Sequence, residues 1–221
     1  MNGRGRVFAM LIMMGLLWPI GLLRAQGEID PIVTVRNVIW SDSETPVEGA
    51  EAILIRMEHG ISMSLDTVGL PPGHTFTIWW VIFNSPDNCF DGLCGLDDVF
   101  LLDANGQFSL DADGMPIGNT PAREAAVISS LRATGNISND KGDAYFRAHL
   151  PIGDITDDVV FGPGLLDPMK AEVHLILRSH GPIIQELLTE QLFTVWGGCP
   201  DPRDRSPCDD LQIAVFEAPG P

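Results

Sequence analysis

Short apolar runs, each ended within about ten residues by glycine, proline, asparagine or aspartate, recur along this chain and restrict it to a strand-built fold. "IVTVRNVIW" starts at Ile32 and "AILIRM" at Ala52. In "ISMSLDTV", Ile61, Met63 and Leu65 alternate with Ser62, Ser64 and Asp66. "HTFTIWWVIF" is apolar at both parities, as a strand covered on both faces must be. "DVFLLDANGQFSLDADG" reads as a hairpin around Asn105-Gly106, a pair suited to positive φ. "AAVISSLRATGNIS" and "DAYFRAHL" flank the turn "NDKG" and read as a second hairpin. "AEVHLILRS", "LTEQLFTVW" and "LQIAVFEA" complete the set. Helical periodicity is confined to "TPAREAAV" and "IIQELLTE". With 23 glycines and 17 prolines as punctuation, about ten short strands predict an all-β fold, an antiparallel β-sandwich or a related barrel.

Residues 1–25 are read apart from that domain. Arg4 and Arg6 precede an apolar run from Val7 to Leu23, and Ala25-Gln26 offers a cleavage point, the pattern of a secretory signal segment. An uncleaved anchor is disfavoured because the run is short of roughly 20 residues and holds Gly15, Pro19 and Gly21. Residues 26–221 then form a single β-sandwich domain, and the expected location is periplasmic or extracellular. The segment carries three of the 13 basic residues and none of the 30 acids, so its removal takes the formal charge from −17 to −20. Such an acidic surface repels phosphate backbones and anionic headgroups, which argues against nucleic acid and anionic membrane partners.

Four cysteines fall in two close pairs, Cys89 with Cys94 and Cys199 with Cys208. In an exported chain an even count points to disulfides, and these spacings suit loops tied at their bases. Each such short loop is expected to stabilise by about 2–3 kcal/mol. Cross-pairing between the loops and a four-cysteine zinc site stay open as alternatives, the latter lacking the usual two-residue gaps.

Several catalytic signatures are absent: no phosphate loop, serine elbow, paired-histidine zinc helix or Cys-x-x-Cys occurs. "DADGMP" begins like a calcium loop, but Met115 stands where an oxygen ligand belongs. Asp103, Asn105 and Asp111 are better read as turn formers. Alternation along "AEVHLILRSHGP" sends Ala171, Val173, Leu175 and Leu177 to the core. Glu172, His174, Ile176, Arg178 and His180 take the other face. His174 and His180 lie too far apart along a straight strand to share a metal. In "DAYFRAHL", Tyr145, Arg147 and His149 share the outer face. If that strand pairs with 171–179, Arg147, His149, Glu172, His174 and Arg178 form one polar face, with His149 and His174 as candidate metal ligands. An ordinary solvated sheet face shows the same pattern. Trp79 and Trp80 point to opposite sides, and core packing is their expected use.

The stretches "LPPGHTFTIWWVIFNSPDNC", "GDAYFRAHL" and "GPGLLDPMKAEVHLILRSHGP" resemble a group of exported bacterial β-sandwich proteins. The likeness runs over most of the mature chain and implies common descent, but it brings no activity and no catalytic residue. The expected function is an exported, non-catalytic binding or structural module for a small molecule or a protein, with no cofactor. The alternative is a metal-binding protein or metal-dependent enzyme holding a divalent ion at His149 and His174.

Overall fold

The computed structural model describes residues 30–112, 115–155, 159–199 and 208–220; the signal-like segment lies outside them. Nine strands follow in chain order: β1 (Ile32–Trp40), β2 (Pro46–Met57), β3 (Gly60–Thr67), β4 (His74–Phe83), β5 (Ile128–Ile137), β6 (Ala144–Pro151), β7 (Val159–Phe161), β8 (Glu172–Pro182) and β9 (Asp210–Phe216). Three short helices, α1 (Leu96–Val99), α2 (Thr120–Ala125) and α3 (Leu188–Phe193), lie between them. All ladders between the strands are antiparallel, and they join into one sheet of order β6-β3-β2-β1-β9-β8-β4-β5-β7. The fold is all-β, as the strand signals imply. The sheet curls until β5 and β6 meet, where the Asn136 side-chain amide donates to the Tyr145 carbonyl at 2.7 Å.

Alternation sets the interior. Ala52, Leu54, Ile61, Leu65, Phe76, Ile78, Trp80, Phe146, Leu175 and Phe216 pack into one core drawn from both halves of the sheet. Each large apolar side chain so enclosed contributes about 1.5–3 kcal/mol. Trp79 and Trp80 are both buried, Trp80 in that core and Trp79 on the outer side of β4. Arg56 is the charged exception inside. Its position beside Leu54 in the inward series of β2 places a guanidinium at one end of the barrel-like interior, fully buried.

The two faces of the sheet differ in a way that positions the candidate sites. The outer face of β8, β4 and β5 is clad by short elements rather than by a second sheet. At one end Phe83, Cys89, Val99, Ala126 and Ile128 form a second apolar cluster. At the other, α3 lies on β5 so closely that a Cβ on Gly135 would stand 2.5 Å from the Leu192 carbonyl oxygen. Among the described residues, no element covers the outer face of β1, β2, β3 and β6. A Gly135→Ala change is expected to lift α3 from the sheet at a cost of about 1–3 kcal/mol, the range for overpacking, read from the shift in a urea unfolding midpoint. An unchanged midpoint would show that α3 contributes nothing to stability there.

Three expectations are corrected. "LTEQLFTVW" is not a strand: it forms α3 and the turn after it. Gln191, buried in α3, donates to the His180 and Pro182 carbonyls and accepts from the Ile184 amide, pinning the helix to the end of β8. β5 and β6 are not a hairpin, although "NDKG" makes a tight reversal, with Asn139 accepting from the Lys141 and Asp143 amides. The β3–β4 connection wedges into that turn, the Leu70 amide donating to Gly142 and the Gly73 amide to Ser138. This sends β5 to β4 and β6 to β3. The described residues of 96–118 carry α1 and isolated antiparallel bridges such as Leu102↔Phe108, not regular strands. The turn chemistry within holds. Asp103 accepts from the Asn105 and Gln107 amides, which lower its carboxyl pKa, and Gly106 has φ 75°.

Candidate functional site

The expected polar face divides between two distant places. β6 pairs with β3, whereas β8 lies between β9 and β4, so His149 and His174 are not cross-strand neighbours. The condition for a shared metal on that pair is not met. The cause is that both edges of β8 are filled, by β9 on one side and β4 on the other, while β6 pairs with β3.

Arg147 and His149 belong to the bare half. Register fixes three outward rows across β1, β2, β3 and β6. They are Asn37–Glu51–Asp66–Tyr145, Val35–Ile53–Ser64–Arg147 and Val33–Ile55–Ser62–His149. Arg147 pairs with Asp66, which raises its pKa, and the His149 ring bonds the Ser62 hydroxyl at 2.9 Å. Ile53, Ile55, Ser62, Ser64 and Arg147 line a shallow depression of ≈ 490 Å³. Val33 is 59 % and Val35 48 % exposed. Together with Ile53 and Ile55 they form a block of four β-branched side chains on an open sheet face. β1 meets β9 only at Ile39 and Trp40, after a bulge between Asn37 and Ile39. Among the described residues, no strand pairs with the β9 side of residues 32–37, where Arg36 meets Glu217 of the segment after β9 at 3.9 Å.

Glu172, His174 and Arg178 belong to the clad half. The outward face of β8 is not solvated: His174, Arg178 and His180 are all buried. His174 pairs with Glu172 at 2.7 Å and packs on Phe83, ring centroids 4.9 Å apart. Arg178 donates to Asp210 at 2.7 Å and to the Val195 carbonyl at 3.0 Å, with Trp196 stacked 4.8 Å away.

His180 sits at the centre of this layer. A carbonyl only accepts, so Nδ1–H donates to Gly197 at 2.9 Å. Nε2 then accepts from the Thr77 hydroxyl at 2.7 Å, whose oxygen accepts from Trp79 Nε1 at 2.8 Å. The three bonds can all run one way around a neutral imidazole. Burial agrees, pulling the His180 pKa from 6.5 to about 4, against a partial upward effect of the Gly197 bond.

Both disulfides close locally, Cys89–Cys94 and Cys199–Cys208. Such bonds persist in oxidising compartments. The first is held beneath by buried Asp98, which accepts from the Phe90 and Gly95 amides. The second lies on His180: one ring nitrogen and the two sulfurs are within 4.8 Å of one another. This set has donors fit for a metal, but the sulfurs are bonded to each other.

The exposed block had a signal in the sequence, since β1 and β2 are apolar at both parities just as β4 is. Pattern alone cannot say that cladding covers β4 and leaves β1 bare. The His180, Cys199 and Cys208 cluster had none, because it depends on the segment after α3 folding back. Comparison with protein-family models, curated proteins and solved structures returns no match.

Proposed function

We propose that this chain is an exported, non-catalytic binding module that takes an extended segment of a protein partner along β1. The observation that carries it is that, among the described residues, 32–37 have no strand partner on the β9 side, beside exposed Val33 and Val35 and half-buried Ile53 and Ile55. An unpaired strand edge is a template for another strand, and a contiguous apolar patch on a strongly acidic protein marks an interaction surface. Main-chain bonds to β1 would supply affinity. Alternate apolar side chains on the guest would lie towards Val33 and Val35, and a long basic one towards Glu51. The two disulfides and the signal-like start support export.

A photo-crosslinking residue at Val35, in the cell that exports the protein, should trap one discrete partner. The same residue at Leu110, exposed and distant in the chain, should not. The captured partner, once purified, should bind the isolated chain and lose that binding on Ile53→Glu. Equal labelling from both positions, or binding indifferent to Ile53→Glu, would refute the assignment to this face.

A further inference from the structure

We propose that the Cys199–Cys208 bond masks a metal site, and that its reduction leaves a two-thiolate, one-imidazole set with His180 that takes a soft cation such as Zn²⁺. Donors about 2.0–2.3 Å from one tetrahedral ion stand roughly 3.5–3.8 Å apart. The three ligand atoms already lie within 4.8 Å of one another. Opening the disulfide is therefore the main displacement required. His180 is neutral, the form that ligates, and both of its nitrogens have protein partners. Whichever nitrogen turns to the ion, the other keeps an acceptor, the Gly197 carbonyl or the Thr77 oxygen. Metal-bound imidazoles use such an outer bond to fix the ring. Cys208 and His180 are fully buried and Cys199 half-buried, so the site is closed behind and reachable from the Cys199 side.

The step balances. A low-molecular-weight thiol donor gives two electrons and two protons to the disulfide and leaves as its own disulfide. A divalent cation then displaces both protons from the two thiols. In the oxidised chain the sulfur lone pairs sit on neutral, weakly donating atoms, and the site is silent. Soft thiolate donors with imidazole favour zinc or cuprous ions over calcium or magnesium. This separates the site from the acidic surface, whose oxygen donors favour the hard cations.

The test uses the mature chain reduced with a phosphine in the absence of oxygen, titrated with Co²⁺ as a spectroscopic substitute and then with Zn²⁺. One Co²⁺ per chain should bind with a thiolate-to-cobalt absorption band that Zn²⁺ abolishes, while the oxidised chain shows none. The Cys199→Ser/Cys208→Ser variant should lose the band and Cys89→Ser/Cys94→Ser should keep it. His180→Gln should weaken binding by more than the roughly 10–100-fold that loss of an outer partner costs. If the reduced chain loses its near-ultraviolet dichroism, Zn²⁺ should restore it. The proposal is overturned by a missing band, by a band that survives Cys199→Ser/Cys208→Ser, by unchanged affinity in His180→Gln, or by failure of Zn²⁺ to restore a lost fold.

Discussion

Arg56→Met is expected to remove about 3–5 kcal/mol from the stability of this domain, the cost of leaving two or more buried carbonyls without their donor at about 1–3 kcal/mol each. The Arg56 Nη1 donates to the carbonyls of Pro168 at 2.6 Å and Ala171 at 2.7 Å. Its Nη2 donates to Phe216 at 3.2 Å and Glu217 at 3.0 Å. One side chain of β2 thereby ties the entry to β8 and the exit of β9. Burial pulls its pKa down to about 10, partly offset by the charge of Glu172, so the guanidinium stays charged at neutral pH. Methionine fills much of the volume but leaves four carbonyl oxygens without donors, each costing about 1–3 kcal/mol if it stays dry. Arg56→Lys should lose an intermediate amount, since one ammonium cannot span both carbonyl pairs. Urea unfolding measures both. A loss below about 1 kcal/mol for Arg56→Met would mean that water replaces the guanidinium without cost.

Acidification gives the second large effect. Unfolded, His180 titrates near 6.5; folded, near 4. The unfolded state therefore takes up its proton first as pH falls. The contribution of neutral His180 is whole above pH 6.5, declines between 6.5 and 4, and is gone below that. At about 1.4 kcal/mol per pKa unit, the loss is about 3 kcal/mol across the window. His180→Gln, which cannot protonate, should flatten this part of the stability profile relative to the unaltered chain. Parallel profiles would show that His180 is not held neutral. Trp79 fluorescence offers an independent readout, because the indole bonds the same Thr77 hydroxyl that bonds the ring.

Strand positions were legible because alternation and turn residues are local properties. β1, β3, β4 and β6 begin and end close to where the pattern places them. The turns at Asn105-Gly106 and Asn139 follow from side chains bonding their own backbone. The disulfide partners were legible for the same reason, as short spacings favour local closure. Pairing was not legible. Whether β6 joins β5 or β3 is decided by Leu70 and Gly73 entering the turn at 139–142, contacts between segments about 70 residues apart. The candidate site suffered most, since it joined residues of β6 and β8 on an assumed adjacency. Polar residues on the outer face of β8 signalled solvent by their type. Arg178 and His180 are instead buried and paired, because Gln191 and Trp196 close over them. A buried polar network and a wet face have one sequence pattern, and only the covering segment tells them apart.

The strand order also dictates when this molecule can exist. β1, β2, β3 and β6 make one half of the sheet, and β8, β4, β5 and β7 the other; among the described residues, β9 alone joins them by strand pairing. It follows both halves in the chain, so in a polypeptide that emerges N-terminus first the two partial sheets must wait, edges exposed, until residues 210–216 emerge. Pairing over such sequence distances is slow. During the delay the edges of β1 and β8 are open to each other's neighbours and to strangers. Cys199 and Cys208 emerge just before β9. Oxidation of that pair and docking of the last strand fall together in time, so a chain cut short before residue 210 should be cleared by proteases rather than persist as half a domain.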